Sequence, residues 1–95
     1  MITNNLLIKL KERNNENIEK TKAALLSMQG KIEVLIEVQV ETDILNKEVS
    51  YDILLITKFA SLEDMNVYIT HPDHIDAYQS IQHLIETVAS VCYES

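Results

Sequence analysis

A chain of 95 residues fits one domain and leaves no room for a second. Its 15 acidic and 8 basic residues give a net charge of −7, so we expect its surface to repel phosphate backbones and anionic membranes, which argues against nucleic-acid binding. The single cysteine, Cys92, excludes an intrachain disulfide and a thiolate metal cluster, and it fits the reducing cytoplasm. We see no signal peptide and no apolar run near the roughly 20 residues needed to cross a bilayer, so secretion and membrane insertion are not expected.

The first two predicted elements are a strand and a helix. Apolar residues alternate with others over residues 2–11, and residues 6–8 are apolar on both faces, as in a strand covered on two sides. Asn14 and Asn15 are preferred residues at a helix N-cap. The apolar stripe that follows predicts a first helix that ends at Gln29–Gly30, where glycine suits the terminating position.

The clearest strand signal comes next. β-branched residues alternate on one predicted face, namely Ile32, Val34, Ile36, Val38 and Val40. Glutamates occupy the opposite face together with Leu35. This period of two predicts a second strand over residues 32–40, followed by a polar connection over residues 42–50.

A third strand is predicted over residues 51–59, with residues 53–56 apolar on both faces. Ser61 begins a near capping box that opens a short helix. This helix must stop near His71, because the residue before Pro72 is pushed out of the helical region.

The last predicted elements are a helix and a strand. Apolar positions recur at helical spacing from Ile75 to Val88, and residues 87–93 are compatible with a fourth strand. The resulting order, β-α-β-β-α-β, is that of an α+β ferredoxin-like fold, with a four-stranded antiparallel sheet and the helices on one face. Strands one and three are central in that arrangement.

A homodimer is predicted from the sheet face that the helices leave uncovered. On that face we expect an apolar patch formed by Leu7, Leu35, Leu54 and Ile56. Such a patch is unusual on a monomer, and a two-fold dimer is the commonest oligomer. The alternative left open is a mixed, solvated surface, because charged residues of the same strands share the face.

Several segments carry a family resemblance: Ile8-Lys9-Leu10-Lys11, Tyr51-Asp52-Ile53, Phe59-Ala60-Ser61-Leu62-Glu63 and Val91-Cys92-Tyr93-Glu94. The most specific is Tyr68-Ile69-Thr70-His71-Pro72-Asp73-His74, which is similar to a Tyr-x-x-His-Pro-x-His signature. Together they resemble the stress-responsive A/B barrel (Dabb) family over residues 1–95, taken as a single domain. The resemblance implies a dimeric α+β barrel, in which two ferredoxin-like protomers face each other through their sheets.

The resemblance also implies candidate functions. The family includes plant stress-associated proteins and a polyketide cyclase that works by an aldol-type step, with the Tyr and the second His of the signature at the reacting centre. In this chain those residues are Tyr68 and His74, the catalytic candidates, and no cofactor is implied. The chain departs from the family at Asn4, where a His is common, and it lacks a Gly-x-Asn segment after the second strand.

The residue types fit that chemistry, because an imidazole can take a proton beside a carbonyl and a phenol can steady the developing oxyanion. The structural alternative is that Tyr68 packs in the core with its hydroxyl satisfied, while His74 caps the helix after Pro72. His71 is a candidate ligand-binding residue, although its imidazole could instead bond backbone groups freed at the helix break. Two histidines are too few to hold a metal, and Cys92 is expected to be a small buried hydrophobe.

The sequence therefore predicts a cytoplasmic, homodimeric stress-responsive A/B barrel protein that binds a small, partly apolar molecule, with catalysis an open question. The alternative is a cofactor-free, cyclase-like acid/base catalyst that uses Tyr68 and His74.

Overall fold

The computed structural model describes all 95 residues, Met1–Ser95. It contains four strands and three α-helices, with one 3-10 turn at Gln82–Leu84. In chain order they are β1 (Ile2–Leu10), α1 (Asn15–Leu26), β2 (Glu37–Thr42), β3 (Ile53–Phe59), α2 (Leu62–Thr70), α3 (Pro72–Ile81) and β4 (Ile85–Glu94). None of the helices has the length and apolar character to cross a membrane. The predicted ferredoxin-like order is confirmed, with α2 and α3 together in the position of its second helix.

The four strands form one antiparallel sheet in the order β2-β3-β1-β4. β1 and β3 are therefore central, as predicted. Every second side chain along each strand points to the helices, and those of Ile8, Ile53 and Phe59 are fully buried there. The core lies between this side of the sheet and the helices.

Local capping signals are confirmed at both predicted helix starts. The side chain of Asn14 accepts a hydrogen bond from the amide of Asn17 at 2.8 Å, and the Ser61 hydroxyl accepts one from the amide of Asp64 at 3.2 Å. Each bond satisfies an amide that the first turn of a helix leaves free. Gly30 has φ +78° in the turn after α1, a conformation that costs glycine nothing.

The prediction of the second strand is wrong over its first half. Residues 31–36 turn instead, with the Leu35 amide donating to the Ile32 carbonyl at 3.1 Å, and β2 begins only at Glu37. Both Ile32 and Leu35 are buried in the core, whereas Ile36 is 54% exposed. Because Ile32 and Leu35 lie three positions apart, one turn places both side chains in the core. Their apolar surface is thereby removed from water without a strand. Leu35 is thus absent from the patch predicted on the uncovered face.

The helix predicted to continue towards Val88 also ends early. α3 stops at Ile81, and β4 begins at Ile85, so that Val88 lies opposite Ile8 in the sheet. The ladder with β1 explains the difference, because it pairs the backbone of this segment along nearly all of β1. The expected burial of Cys92 is wrong as well: its thiol is exposed, because β4 forms an edge of the sheet.

The sheet side without helices is called the open face here. Register places Leu7 beside Leu54 and Ala89, and Ile56 and Val91 on either side of Asn5. These apolar side chains form a patch across β3, β1 and β4, which ends at the half-exposed ring of Tyr93. Acidic residues of β2 border the patch, and Glu37 pairs with Lys58 at 3.3 Å.

A buried ion pair joins elements that are distant in sequence. The Asp52 carboxylate accepts hydrogen bonds from the Arg13 guanidinium at 2.9 Å and from the Leu10 amide at 2.7 Å. Arg13 also donates to the backbone carbonyl of Asp43 at 2.6 Å. The cluster ties the end of β1 to the segments on both sides of the β2–β3 connection.

Candidate functional site

A cavity of about 110 Å³ lies between the helices and the covered side of β1 and β4. Its lining residues are mostly apolar, and their polar side-chain groups are the Asn4 amide, the Tyr68 and Tyr78 hydroxyls and the His74 imidazole. The half-exposed side chains of Ile69 and Tyr78 also line it, which places its opening at the surface of α2 and α3. The cavity therefore combines an apolar interior with a few polar groups, as small-molecule sites do.

Tyr68 comes from the last turns of α2 and is only 4% exposed. Its ring packs on Phe59 with centroids 5.0 Å apart, which holds the side chain against β3. The hydroxyl lies at the cavity and has no hydrogen-bond partner within the chain. Burial raises the pKa of Tyr68 to about 12, so at neutral pH the phenol is protonated and can donate a hydrogen bond.

His74 lies in the first turn of α3, half-buried at the same cavity. Its Nδ1 is 3.0 Å from the carbonyl oxygen of Ile69. A carbonyl can only accept, so Nδ1 carries the proton and Nε2 of the neutral ring keeps its lone pair. Burial lowers the pKa of His74 more than the bond to Ile69 raises it, which favours this neutral form.

The break between α2 and α3 brings these two residues together. His71 has extended backbone angles, φ −69° and ψ 136°, as expected before Pro72. Its Nδ1 accepts a hydrogen bond from the amide of Asp73 at 3.1 Å, which caps α3. The chain thus changes direction at His71, and the rings of Tyr68 and His74 meet with centroids 4.4 Å apart.

The structural alternative for the pair is confirmed in one respect, because the Tyr68 ring packs in the core, but it differs from the structure in two others. His71, rather than His74, caps α3, and the Tyr68 hydroxyl is not satisfied within the chain. His71 does not line the cavity, so its ligand-binding role stays a prediction without geometric support. No group of three or more His, Cys, Asp or Glu side chains is arranged to hold a metal ion.

Sequence reasoning noted Asn4 only as a departure from the family's usual His and did not include it among the candidate site residues. Asn4 lies on β1 opposite Thr57 and Cys92, and its side chain lines the cavity without a hydrogen-bond partner in the chain. The sequence did contain a signal for this position. Side chains two residues apart on a strand point to the same side, so Asn4 lies on the side of Leu6 and Ile8, which face the helices. A polar residue in register with a buried apolar row marks a position that needs explanation.

Comparison with known proteins places this geometry in a wider group. Residues 2–95 match the family model of the Stress Responsive A/B Barrel Domain (Dabb). No curated protein matches the chain. One similar solved structure is a dimeric protein of unknown function with a ferredoxin-like fold from Bacteroides fragilis, which is 27% identical with a TM-score of 0.85 and covers 99% of this chain and 95% of its own.

Two further structures share the fold at lower identity. A dimeric ferredoxin-like protein of unknown function from Thermobifida fusca is 19% identical with a TM-score of 0.84, covering 97% of this chain and 88% of its own. The hydroxynitrile lyase from Passiflora edulis is 12% identical with a TM-score of 0.81, covering 97% of this chain and 90% of its own.

Proposed function

The chain belongs to the stress-responsive A/B barrel (Dabb) family, and from that premise we propose that it is a single-domain homodimer in which each protomer binds a small, largely apolar molecule beside Tyr68 and His74. The observation that carries this proposal is the Tyr68 hydroxyl, which belongs to a nearly buried residue at the cavity and has no hydrogen-bond partner in the chain. Its O–H is therefore free to donate to a molecule in the cavity. A ligand with a hydrogen-bond acceptor would take that bond.

The size of the cavity limits the ligand. Its volume of about 110 Å³ is somewhat below the roughly 150 Å³ of an apolar cavity known to bind benzene. A single ring or a short chain fits inside, and a longer ligand must extend past Ile69 and Tyr78 at the opening. The apolar walls supply most of the affinity, and the few polar groups orient the ligand.

Binding is tested by thermal unfolding and NMR with a set of small neutral aromatic and carbonyl compounds. We expect a compound that raises the melting temperature of the wild type to lose its effect in Tyr68→Phe and His74→Ala. The matched controls are Tyr51→Phe and His83→Ala, which change the same residue types outside the cavity. Equal stabilisation of all five proteins would contradict binding at this site.

The proposed dimer pairs two copies through the open face. It is supported by the apolar patch centred on Leu7, Leu54 and Ile56, which the helices of one copy do not reach. Burying this patch removes apolar surface from water. Two proteins of the same fold are themselves described as dimeric.

Sedimentation equilibrium tests the dimer. We expect the wild type to have twice the 10.9 kDa mass of one chain, and Leu54→Asp to shift it towards the monomer. Leu62→Asp is the control, because Leu62 is an exposed leucine in the helical layer. A wild-type mass of 10.9 kDa at tens of micromolar would exclude the proposed assembly.

Acid/base catalysis is the second candidate, favoured by the His74 Nδ1 bond to the Ile69 carbonyl, which leaves Nε2 as a base. In an aldol-type cyclisation, Nε2 would take a proton from the carbon beside a carbonyl while the Tyr68 hydroxyl donates to the resulting enolate oxygen. The enolate carbon would then form a bond to a second carbonyl carbon of the same substrate. The new alkoxide would recover the proton from the imidazolium, so no cofactor is consumed.

Deuterium exchange separates catalysis from binding. We expect the wild type in D₂O to speed incorporation of deuterium beside the carbonyl of a bound small ketone, and His74→Ala to reduce the rate to that of buffer. His83→Ala should behave as the wild type, because His83 is exposed outside the cavity. Binding without enhanced exchange would exclude the catalytic candidate and leave the binding proposal intact.

A further inference from the structure

The polar groups of the cavity are all neutral. The Asn4 amide, the Tyr68 phenol and the His74 imidazole line it, with the Tyr78 phenol at its opening, and no Lys, Arg, Asp or Glu side chain does so. A carboxylate or phosphate placed here would lose its hydration without gaining a cation, and an ammonium group would gain no anion. The net charge of −7 adds long-range repulsion of anions.

The hydrogen-bonding character of each group is also defined. Tyr68 offers a free O–H donor at the cavity, since nothing in the chain accepts from it. His74 offers an acceptor at Nε2, since its Nδ1–H is already used by the Ile69 carbonyl. A complementary ligand therefore presents one acceptor towards Tyr68 and one donor towards His74.

Asn4 supplies the third contact. Its amide has both a carbonyl oxygen and an NH₂ group, and the chain bonds neither, so it can accept from or donate to the hydroxyl of the ligand. An amide does not titrate, unlike an imidazole, so this contact stays uncharged at every physiological pH. Its position on a central strand, paired with β3 and β4, holds it more firmly than a loop would.

We infer that the cavity selects uncharged hydroxy-carbonyl compounds of about one ring in size, and that Asn4 is a specificity-determining residue which favours them over the corresponding carboxylates. This inference rests on the proposed binding function. The carbonyl oxygen accepts from Tyr68, the hydroxyl donates to His74, and the ring lies against the apolar walls.

Four ring compounds of similar size test the selection on the wild type at pH 7, by NMR titration of the amides of Asn4, Tyr68 and His74. The probe is 3-hydroxyacetophenone; acetophenone lacks its hydroxyl, 3-ethylphenol lacks its carbonyl, and 3-hydroxybenzoate replaces the ketone with an anion. We expect the first to bind about 10-fold more tightly than the next two, since each loses one hydrogen bond. We expect the benzoate to bind most weakly of the four.

Variants test the role of Asn4. Asn4→Leu should weaken the binding of 3-hydroxyacetophenone about 10-fold and change the dissociation constant of acetophenone by no more than about 2-fold. The ratio of the two dissociation constants should therefore move closer to one. Asn4→Asp should weaken binding of 3-hydroxybenzoate more than binding of 3-hydroxyacetophenone or 3-ethylphenol, because it brings a like charge into the cavity with the carboxylate. Asn66→Leu and Asn66→Asp are the controls, because Asn66 is exposed on α2 outside the cavity.

The failures are distinguishable. Affinity for 3-hydroxybenzoate equal to or above that for 3-hydroxyacetophenone would overturn the selectivity while leaving small-molecule binding in place. If Asn4→Leu leaves the ratio of the dissociation constants of acetophenone and 3-hydroxyacetophenone unchanged, the role of Asn4 is overturned, but the selectivity of the cavity is not. If no compound perturbs the cavity amides at millimolar concentration, the proposed binding function fails, and this inference fails with it.

Discussion

The rings of Tyr68 and His74 lie 4.4 Å apart at an interplanar angle of 55°, although the residues belong to different helices. In one continuous helix, residues six apart would be about 9 Å apart along the axis and on different faces. The extended conformation at His71, imposed by Pro72, removes that separation. A phenol donor and a neutral imidazole thereby share one apolar cavity.

We expect Tyr68→Phe to change the free energy of unfolding by less than about 1 kcal/mol while weakening the proposed ligand binding. The reason is that the substitution removes a hydroxyl which has no partner in the chain and keeps the ring against Phe59. Urea unfolding of the ligand-free protein measures this. A loss of more than about 1 kcal/mol would show that the hydroxyl is satisfied in the folded protein.

His74 should make stability depend on pH. Its folded pKa lies below the ordinary value of 6.5, so below that pH the unfolded chain binds more protons than the folded one. The contribution of His74 is therefore complete above pH 6.5 and is lost as the pH falls through the folded pKa. We expect His74→Gln to show a flatter stability profile between about pH 7.5 and pH 5 than the wild type, by urea unfolding at each pH. His83→Gln is the control, and an identical slope in wild type and His74→Gln would contradict the burial effect.

The buried ion pair should dominate the electrostatic contribution to stability. We expect Asp52→Ala to lower the free energy of unfolding by about 3 kcal/mol, because it leaves the Arg13 guanidinium and the Leu10 amide without their shared acceptor. The control is Glu37→Ala, which breaks an exposed pair with Lys58 and should cost under about 1 kcal/mol. Similar losses for both variants would show that the Asp52 cluster is effectively solvated.

The same substitution should have opposite effects at two threonines whose hydroxyls are buried. The Thr42 hydroxyl is buried without a hydrogen-bond partner, so we expect Thr42→Val to raise the free energy of unfolding by about 1 kcal/mol. The Thr21 hydroxyl donates to the Asn17 carbonyl at 2.8 Å, so we expect Thr21→Val to lower it by about 1 kcal/mol. Urea unfolding measures both, and two changes of the same sign would contradict this assignment.

Most of the fold could be predicted because it is encoded locally. The caps at Asn14 and Ser61 depend on residues three positions away, and the two-faced apolar runs identified β1 and β3 as central. Residues 32–36, predicted as strand, and residues 85–86, predicted as helix, were predicted incorrectly, because apolar spacing there fits more than one backbone shape. Contacts from distant segments decide between those shapes, and a single sequence does not display them.

The candidate site, like the fold, could be predicted from the sequence only where it is encoded locally. Tyr68 and His74 were found through a short motif, within which local chemistry determines the geometry. Asn4 was noted as a departure from the family but given no site role, because that role depends on which side of β1 meets the helices far along the chain. The Arg13–Asp52 pair was missed for a similar reason, since 39 residues separate its members.

Neighbouring residues of β1 serve different surfaces, with Asn4 in the cavity and Leu7 on the open face. One substitution can therefore alter what the molecule recognises without touching the surface that we propose joins two copies. Ligand preference and assembly are free to diverge separately on such a scaffold. An engineer could give the cavity new chemistry while the quaternary arrangement is retained.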